Sequence, residues 1–322
     1  MSVVVISTGG TIASTKDSGG GASPELTGED LIASVPGLSD DIELTTDDFS
    51  NIPSPQVSIS QMHELSELVA EYDRDDTVDG IVVTQGTDTL EEVAYFVDLC
   101  YDGDTPVVFT GAMRNPSLAS PDGPANHLTA IRTVTSDGAR GRGVLVTFND
   151  QVHAAKLVTK THSMRLDTFQ SPELGPLAVH DEETIRWRAS VDPTPTIDVD
   201  PETLTNEVAA LTVTAEMPPS QIPEPGDFEA VVLATTGSGH IPPGIIPPLE
   251  ALAREDLPLV ATTRCTEGRL ARSTYDYRGS EQTLLDLGCY FSERNLQKTR
   301  IATVVALAGS SVETVFDRPA RE

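Results

Sequence analysis

The sequence predicts an α/β protein, with a larger N-terminal doubly wound domain on a mainly parallel sheet and a smaller C-terminal α/β domain. Three observations lead there. Short apolar runs such as Val3-Val4-Val5-Ile6 and Gly80-Ile81-Val82-Val83 alternate with runs of helical period. Runs of that kind, apolar at every position, are strands buried on both faces, as in a parallel sheet covered by helices. Between about Ala189 and Glu202 the chain turns rich in Pro, Thr and Asp (Asp192-Pro193-Thr194-Pro195), a linker composition, and the alternation then resumes. The expected division is 1–190 for the domain with the threonine motifs, 191–205 for the linker and 206–322 for the smaller domain.

Each element has its own signal. Val3 to Ser7 is an apolar strand that runs into Thr8-Gly9-Gly10-Thr11. Thr27-Gly28-Glu29-Asp30 opens a short helix, Leu31 to Val35, stopped at Pro36-Gly37. Ile42 to Thr45 reads as a strand. Ser60 to Tyr72 carries Met62, Leu65, Leu68 and Val69 on one helical stripe. Strand Ile81 to Thr84 and helix Leu90 to Leu99 follow. Next come strand Pro106 to Thr110, helix Ala125 to Val134 and strand Gly143 to Phe148. The C-terminal part reads as strand Val208 to Val213, strand Ala230 to Thr235, helix Pro247 to Glu255, strand Leu259 to Thr263, helix Ser280 to Leu287 and a last helix, Asn295 to Leu307. Crossovers between parallel strands should be right-handed. Gly19-Gly20-Gly21 has the composition of a flexible loop.

Composition excludes several classes. The 322 residues suffice for two domains with a substantial core. No apolar run approaches the roughly 18 residues of a membrane span, and Met1 leads straight into a strand with no basic segment ahead of it, so neither a membrane anchor nor a signal peptide is expected. Three widely spaced cysteines (Cys100, Cys265, Cys289) fit free thiols in a reducing cytoplasm. Fifty acidic residues against 21 basic ones give a net charge of −29. The acids are scattered, and the only lysines are Lys16, Lys156, Lys160 and Lys298. No basic stripe exists for nucleic acid to bind. Such self-repulsion is tolerable where salt screens it, since the Debye length falls to about 3 Å at 1 M. The charge thus points to a high-salt cytoplasm, that of a halophilic archaeon. An acidic partner-binding surface is the competing reading.

The chemistry-bearing stretch is Val83-Thr84-Gln85-Gly86-Thr87-Asp88-Thr89-Leu90-Glu91-Glu92. It turns from a buried strand into a helix, and six residues there carry three threonine hydroxyls, an Asp, a Gln and a Gly. In open α/β sheets such corners, at the carboxyl ends of strands, bind ligands. A plain capped helix start is the alternative, with Thr87 or Asp88 at the cap and Glu91 or Glu92 closing a capping box. A second corner, Thr8-Gly9-Gly10-Thr11, should lie beside the first. A threonine hydroxyl needs a base to become a nucleophile. Val158-Thr159-Lys160-Thr161-His162-Ser163 offers Lys160, a lysine in a chain that nearly avoids them, and Asp88 is a carboxylate to hold it. An ion pair without catalysis is the alternative. Dinucleotide, P-loop and H-E-x-x-H patterns are absent, and His153 and His162 read as surface or hydrogen-bonded structural residues.

These residues carry a resemblance. Thr8-Gly9-Gly10-Thr11-Ile12-Ala13, the Val83 to Glu92 stretch, Thr110-Gly111-Ala112-Met113-Arg114-Asn115-Pro116, Asp122-Gly123-Pro124-Ala125-Asn126 and His153 to His162 resemble the bacterial-type L-asparaginase family. The similarity runs nearly the whole chain, to Asn295-Leu296-Gln297-Lys298-Thr299-Arg300. It implies hydrolysis of L-asparagine to L-aspartate and ammonia, with no cofactor. It also implies a homodimer or homotetramer with active sites near a subunit interface. Carried over by position, Thr11 matches the nucleophile, and Thr87, Asp88 and Lys160 match a second triad in which Lys160 polarises Thr87. Asp88 also matches the residue that holds the substrate α-amino group. Backbone N–H groups around Gly86 and Thr87 would bind the developing oxyanion. Ser54 is the best match for the serine on the substrate α-carboxylate, with Gln56 and Ser58 as rivals, or it is a turn residue.

Two departures stand out. Many family members carry a tyrosine in the loop after the first motif, whereas Ser14 to Leu26 contains none. Ser14, Thr15 or Ser23, or Lys160 with water, would then carry the proton. In the second domain Gly237-Ser238-Gly239 is followed by His240 where the family often has Asn, which bears on selection between Asn and Gln; a packing histidine is the other reading. Two further alternatives keep the fold. One is a non-catalytic amino-acid-binding module. The other is the amide-hydrolysing subunit of an archaeal tRNA amidotransferase, which carries an extra N-terminal domain where only ten residues precede Thr11 here.

Overall fold

A computed structural model describes residues 1–9, 14–16, 22–24, 35, 37, 39, 41–309, 312–317 and 319. It divides into two units, Met1–Thr196 and Ile197–Glu322. The first holds β1 (Ser2–Ser7), β2 (Ser14–Lys16), β3 (Ala22–Pro24), β4 (Glu43–Asp48), α1 (Ile59–Asp73), β5 (Gly80–Thr84), α2 (Leu90–Cys100), β6 (Val107–Thr110) and α3 (Gly123–Val134). There follow β7 (Val144–Phe148), β8 (Gln151–Ala154), β9 (Thr159–Lys160), β10 (Phe169–Gln170), β11 (Ala178–Asp181) and β12 (Thr184–Trp187).

Eight of these strands form one sheet in the order β12-β11-β8-β7-β6-β5-β1-β4. The five strands from β7 to β4 pair in parallel, and β8, β11 and β12 add an antiparallel edge. The chain leaves β1 for β4 on one side and returns to β5 on the other. The strand order therefore reverses between β1 and β5, which opens a crevice at their carboxyl ends. Every residue of β5, β6 and β7 is buried, as strands sandwiched between helices must be. On one face Val3, Val5, Val82, Val108 and Leu145 meet Ala130, Ile131 and Val134 of α3. Helix α2 packs on β6 and β7 and against α1.

The sheet is mainly parallel, as expected, and the antiparallel edge interrupts the alternation of strand and helix. At Asn149 and Asp150 φ is 50° and 59°, a two-residue turn of the kind that joins antiparallel strands, so β8 folds straight back on β7. The expected helix over 31–35 lies outside the described residues apart from Val35, and so does the Gly19-Gly20-Gly21 loop. The Pro- and Thr-rich stretch is anchored within this unit up to its end. Thr194 Oγ1 donates to buried Asp98 (2.5 Å), and Thr196 Oγ1 donates to Tyr101 O (3.2 Å).

The second unit holds β13 (Val208–Thr212), β14 (Ala230–Thr235), α4 (Ile246–Arg254), β15 (Leu259–Thr263), α5 (Glu281–Asp286), β16 (Tyr290–Phe291), α6 (Leu296–Gly309) and α7 (Val312–Val315). Its four strands are parallel in the order β13-β14-β15-β16. Val231, Leu233 and Ala261 pack with Ile245, Leu249, Leu252 and Leu284. Helix α6 lies against β13, β14 and β15. The last expected helix is thus found, and α7 follows it unforeseen. Among the described residues no helix is long and apolar enough to cross a membrane.

Candidate active site

The site grows out of the two corners that follow β1 and β5. Register sets Ser7 beside Thr84, so both chains leave the sheet together. Thr8 closes the gap. Its N–H donates to Thr84 O (3.0 Å), and its hydroxyl lies 2.8 Å from Thr84 O and 2.5 Å from Gln85 Oε1. Gly9 follows at φ +90°, and a Cβ there would sit 2.8 Å from the backbone N of Ile52. Only glycine fits both the left-handed conformation and the close approach. Thr11, the expected nucleophile, lies outside the described residues, as do Ser14, Thr15 and Ser23 as side chains.

The β5 corner is held on several sides. Gln85 N donates to Thr110 O (2.8 Å). Gly111 leaves no room for a side chain, because a Cβ would meet Gln85 O at 2.4 Å. The loop after β6 is fixed by Asp122, which accepts from Met113 N (3.0 Å), Arg114 N (2.8 Å) and Asn126 Nδ2 (3.0 Å). Asn126 Nδ2 also reaches Gly111 O at 2.9 Å. The Asp122 to Asn126 motif is therefore a brace for this loop.

Thr87 is buried and Asp88 is exposed at the lip of the corner. Lys160 arrives from β9, whose two residues pair with β10. Its Nζ donates to Thr87 Oγ1 (2.9 Å) and to Asp88 Oδ1 (2.7 Å). Residues 87 and 88 and the distant residue 160 thus form one hydrogen-bonded group. Among the described residues, the N–H groups of Gly86 and Thr87 have no backbone carbonyl acceptor.

Ser54 lies in a 3-10 turn, Ser54–Gln56, and is buried. Its hydroxyl accepts from Asp88 N (3.3 Å), and its carbonyl accepts from Thr89 Oγ1 (2.8 Å). Its rivals face other tasks. Gln56 is exposed, and Ser58 caps α1 in a reciprocal box with Gln61.

With Thr87 and Asp88 given to the site, the sequence leaves Thr89, with Glu91 and Glu92, as the cap of α2, and two of these assignments need correction. Thr89 occupies the cap position of α2, but its side chain makes no cap hydrogen bond, since it is committed to Ser54 O. Glu91 closes no capping box. It is buried, and its Oε1 accepts from Thr159 Oγ1 (3.2 Å) and from Lys160 N (3.2 Å). The sequence reading held Thr8, Gln85 and Glu91 within its motifs but did not foresee the contacts by which they hold the site. The signal for Glu91 was available: α2 is buried almost all round, and a carboxylate on such a helix needs an internal partner.

His153 and His162 make hydrogen bonds within this unit. His153 is buried with Nδ1 2.9 Å from Ser171 Oγ, and His162 Nδ1 accepts from Met164 N (3.0 Å) and Arg165 N (3.2 Å). In the second unit His240 lies against Tyr275 and Tyr277, with Nε2 3.6 Å from Glu281 Oε2. Glu281 is fully buried and accepts from Thr274 N (2.7 Å) and Tyr275 N (2.5 Å). Among the described residues no group of three or more His, Cys, Asp or Glu is placed to hold a metal ion.

Comparison with known proteins gives the family. The family model described as "Asparaginase, N-terminal" matches residues 2–192, and "Glutaminase/Asparaginase C-terminal domain" matches residues 207–315. The chain is 33% identical to a probable L-asparaginase of Deinococcus radiodurans, over 97% of this chain and 95% of that protein. It is 30% identical to an L-asparaginase of Bacillus licheniformis, over 95% of each. The crystal structure of a probable cytoplasmic L-asparaginase from Campylobacter jejuni superposes with a TM-score of 0.82 at 29% identity, covering 95% of this chain and 94% of that one. The chain belongs to the asparaginase family of amidohydrolases.

Proposed function

We propose that this protein hydrolyses the side-chain amide of L-asparagine to L-aspartate and ammonia through a threonine nucleophile, with no cofactor. The observation that carries the reading is the contact of one ammonium group, Lys160 Nζ, with both Thr87 Oγ1 (2.9 Å) and Asp88 Oδ1 (2.7 Å) at the mouth of the β1–β5 crevice. Thr11 attacks the carboxamide carbon. A C–O bond forms, the C–N bond breaks, and ammonia leaves with the proton that the hydroxyl gave up. Water then hydrolyses the ester and restores Thr11. Thr87 and Lys160 relay protons between these groups and solvent. Asp88 orients Lys160 and, facing solvent, offers its second oxygen to the substrate α-amino group. Ser54, hydrogen-bonded to Asp88 N, lies beside that position and takes the α-carboxylate. The N–H groups of Gly86 and Thr87 supply the oxyanion donors, each worth on the order of 3 kcal/mol in acyl transfer.

The same reading includes some turnover of L-glutamine, a cytoplasmic location and assembly as a homodimer or homotetramer. The net charge of −29 supports a salt-rich setting, as in a halophilic archaeon. The working boundaries are 1–190, 191–205 and 206–322. Ammonia release from L-asparagine, L-glutamine and D-asparagine in molar KCl tests the function. Turnover is expected with L-asparagine above both others, and Thr11→Ala should abolish it with the fold intact. Tight binding of L-asparagine without ammonia release would favour the non-catalytic binding module instead.

A further inference from the structure

We infer that Glu91 is a positioning residue for Lys160, setting where its ammonium stands against Thr87 and Asp88. The inference rests on the amidohydrolase reading above. Strand β9 is only two residues long; it pairs with β10 at Lys160↔Phe169 and Thr159↔Gln170, and the ribbon is extended by Thr161 N donating to Thr168 O (2.8 Å) and His162 N donating to Thr168 Oγ1 (2.8 Å). A ribbon this short has little stability of its own. Its position comes from what it touches. On one side Phe169 of β10 stacks on Phe148 of β7, ring centroids 4.2 Å apart. On the other, Glu91 Oε1 accepts from Lys160 N and from Thr159 Oγ1, both at 3.2 Å.

Glu91 is well placed for this. It belongs to the first turn of α2, where the helix dipole favours an anion, and it is buried. It lies four residues beyond Thr87 and three beyond Asp88 on one continuous piece of chain. One rigid helix start therefore carries Thr87 and Asp88 on its leading edge and grips the backbone of Lys160 with its first turn. The two ends of the catalytic contact share one frame. A misplacement of about 1 Å at a reacting group can cost on the order of 10²-fold in rate.

Two substitutions separate position from charge. The two bonds to β9 both fall on Oε1, which Glu91→Gln keeps as an acceptor at full length while removing the charge. Glu91→Asp keeps the charge and withdraws the acceptor by one methylene. Steady-state kinetics with L-asparagine should show kcat for Glu91→Gln within about 3-fold of wild type. For Glu91→Asp we expect kcat to fall about 10- to 100-fold, with KM changed less than about 3-fold. KM is spared because Ser54 and Asp88, which receive the substrate, are untouched. Any other order of the two variants overturns the inference. Activity retained in Glu91→Asp but lost in Glu91→Gln would make the charge the operative feature, and equal kcat in both would make Glu91 a packing residue. Failure of the underlying reading is distinct: the wild-type protein would then release no ammonia from L-asparagine.

Discussion

Lys160 and Asp88 form an ion pair whose partners differ in surroundings, with side-chain exposure of 13% and 64%. A pair this open on one side contributes little to stability, typically under about 1 kcal/mol. Asp88→Asn should therefore leave the melting temperature within about 3 °C of wild type. On the function proposed above, the same change should lower kcat/KM for L-asparagine on the order of 10²-fold, because it loosens Lys160 and removes the charge assigned to the substrate amino group. Calorimetry and kinetics on one preparation read both. His127 is the contrasting residue, since it serves the fold. It sits buried in α3, and burial pushes its imidazole down from 6.5 to about 4. Between those two values the unfolded chain binds a proton that the folded chain refuses. Its contribution is complete above about pH 6.5 and is lost as pH falls toward about 4, a total of about 3 kcal/mol. His127→Gln should flatten that part of the stability–pH curve; an unchanged slope would remove His127 as its source.

At the scale of elements, the parallel core strands were legible because each is an apolar run bounded by Gly and Thr corners. Their adjacency at the β1–β5 switch follows from the topology of such sheets. The antiparallel edge was not legible. It depends on residues such as Asn149 and Asp150 taking positive φ, which many Asn-Asp pairs do not, and on strands only four residues long. The motifs brought Thr87, Asp88 and Lys160 into one candidate site in advance. They gave no sign of what holds those residues. Glu91 read as closing a capping box because a Glu in the first turn often does, whereas it binds residues 68 and 69 positions away. Gly9 shows the same dependence on tertiary context. Its reason for being glycine is the backbone of Ile52, which no local pattern reveals. Gly9→Ala should destabilise the protein by about 2 kcal/mol or more, through strain at φ +90° and the 2.8 Å approach, read as a lower denaturation midpoint.

Over the whole molecule the dominant quantity is charge. With 50 acidic and 21 basic residues the folded chain repels itself, and salt relieves this by shortening the range of repulsion. Raising KCl from 0.1 M to 2 M should lift the melting temperature by about 5 °C or more, and a fall would contradict the salt-adapted reading. On that reading activity assays belong in molar salt, where loss of turnover reports on the site and not on the fold. Under that condition the decisive measurement is kcat of Lys160→Met with L-asparagine, on protein whose melting temperature matches wild type. The group formed by Lys160, Thr87 and Asp88 predicts a fall of about 10²- to 10⁴-fold, the contribution of a positioned proton-transfer residue. A kcat near that of wild type would show that the Lys160–Thr87–Asp88 contact takes no part in the chemistry.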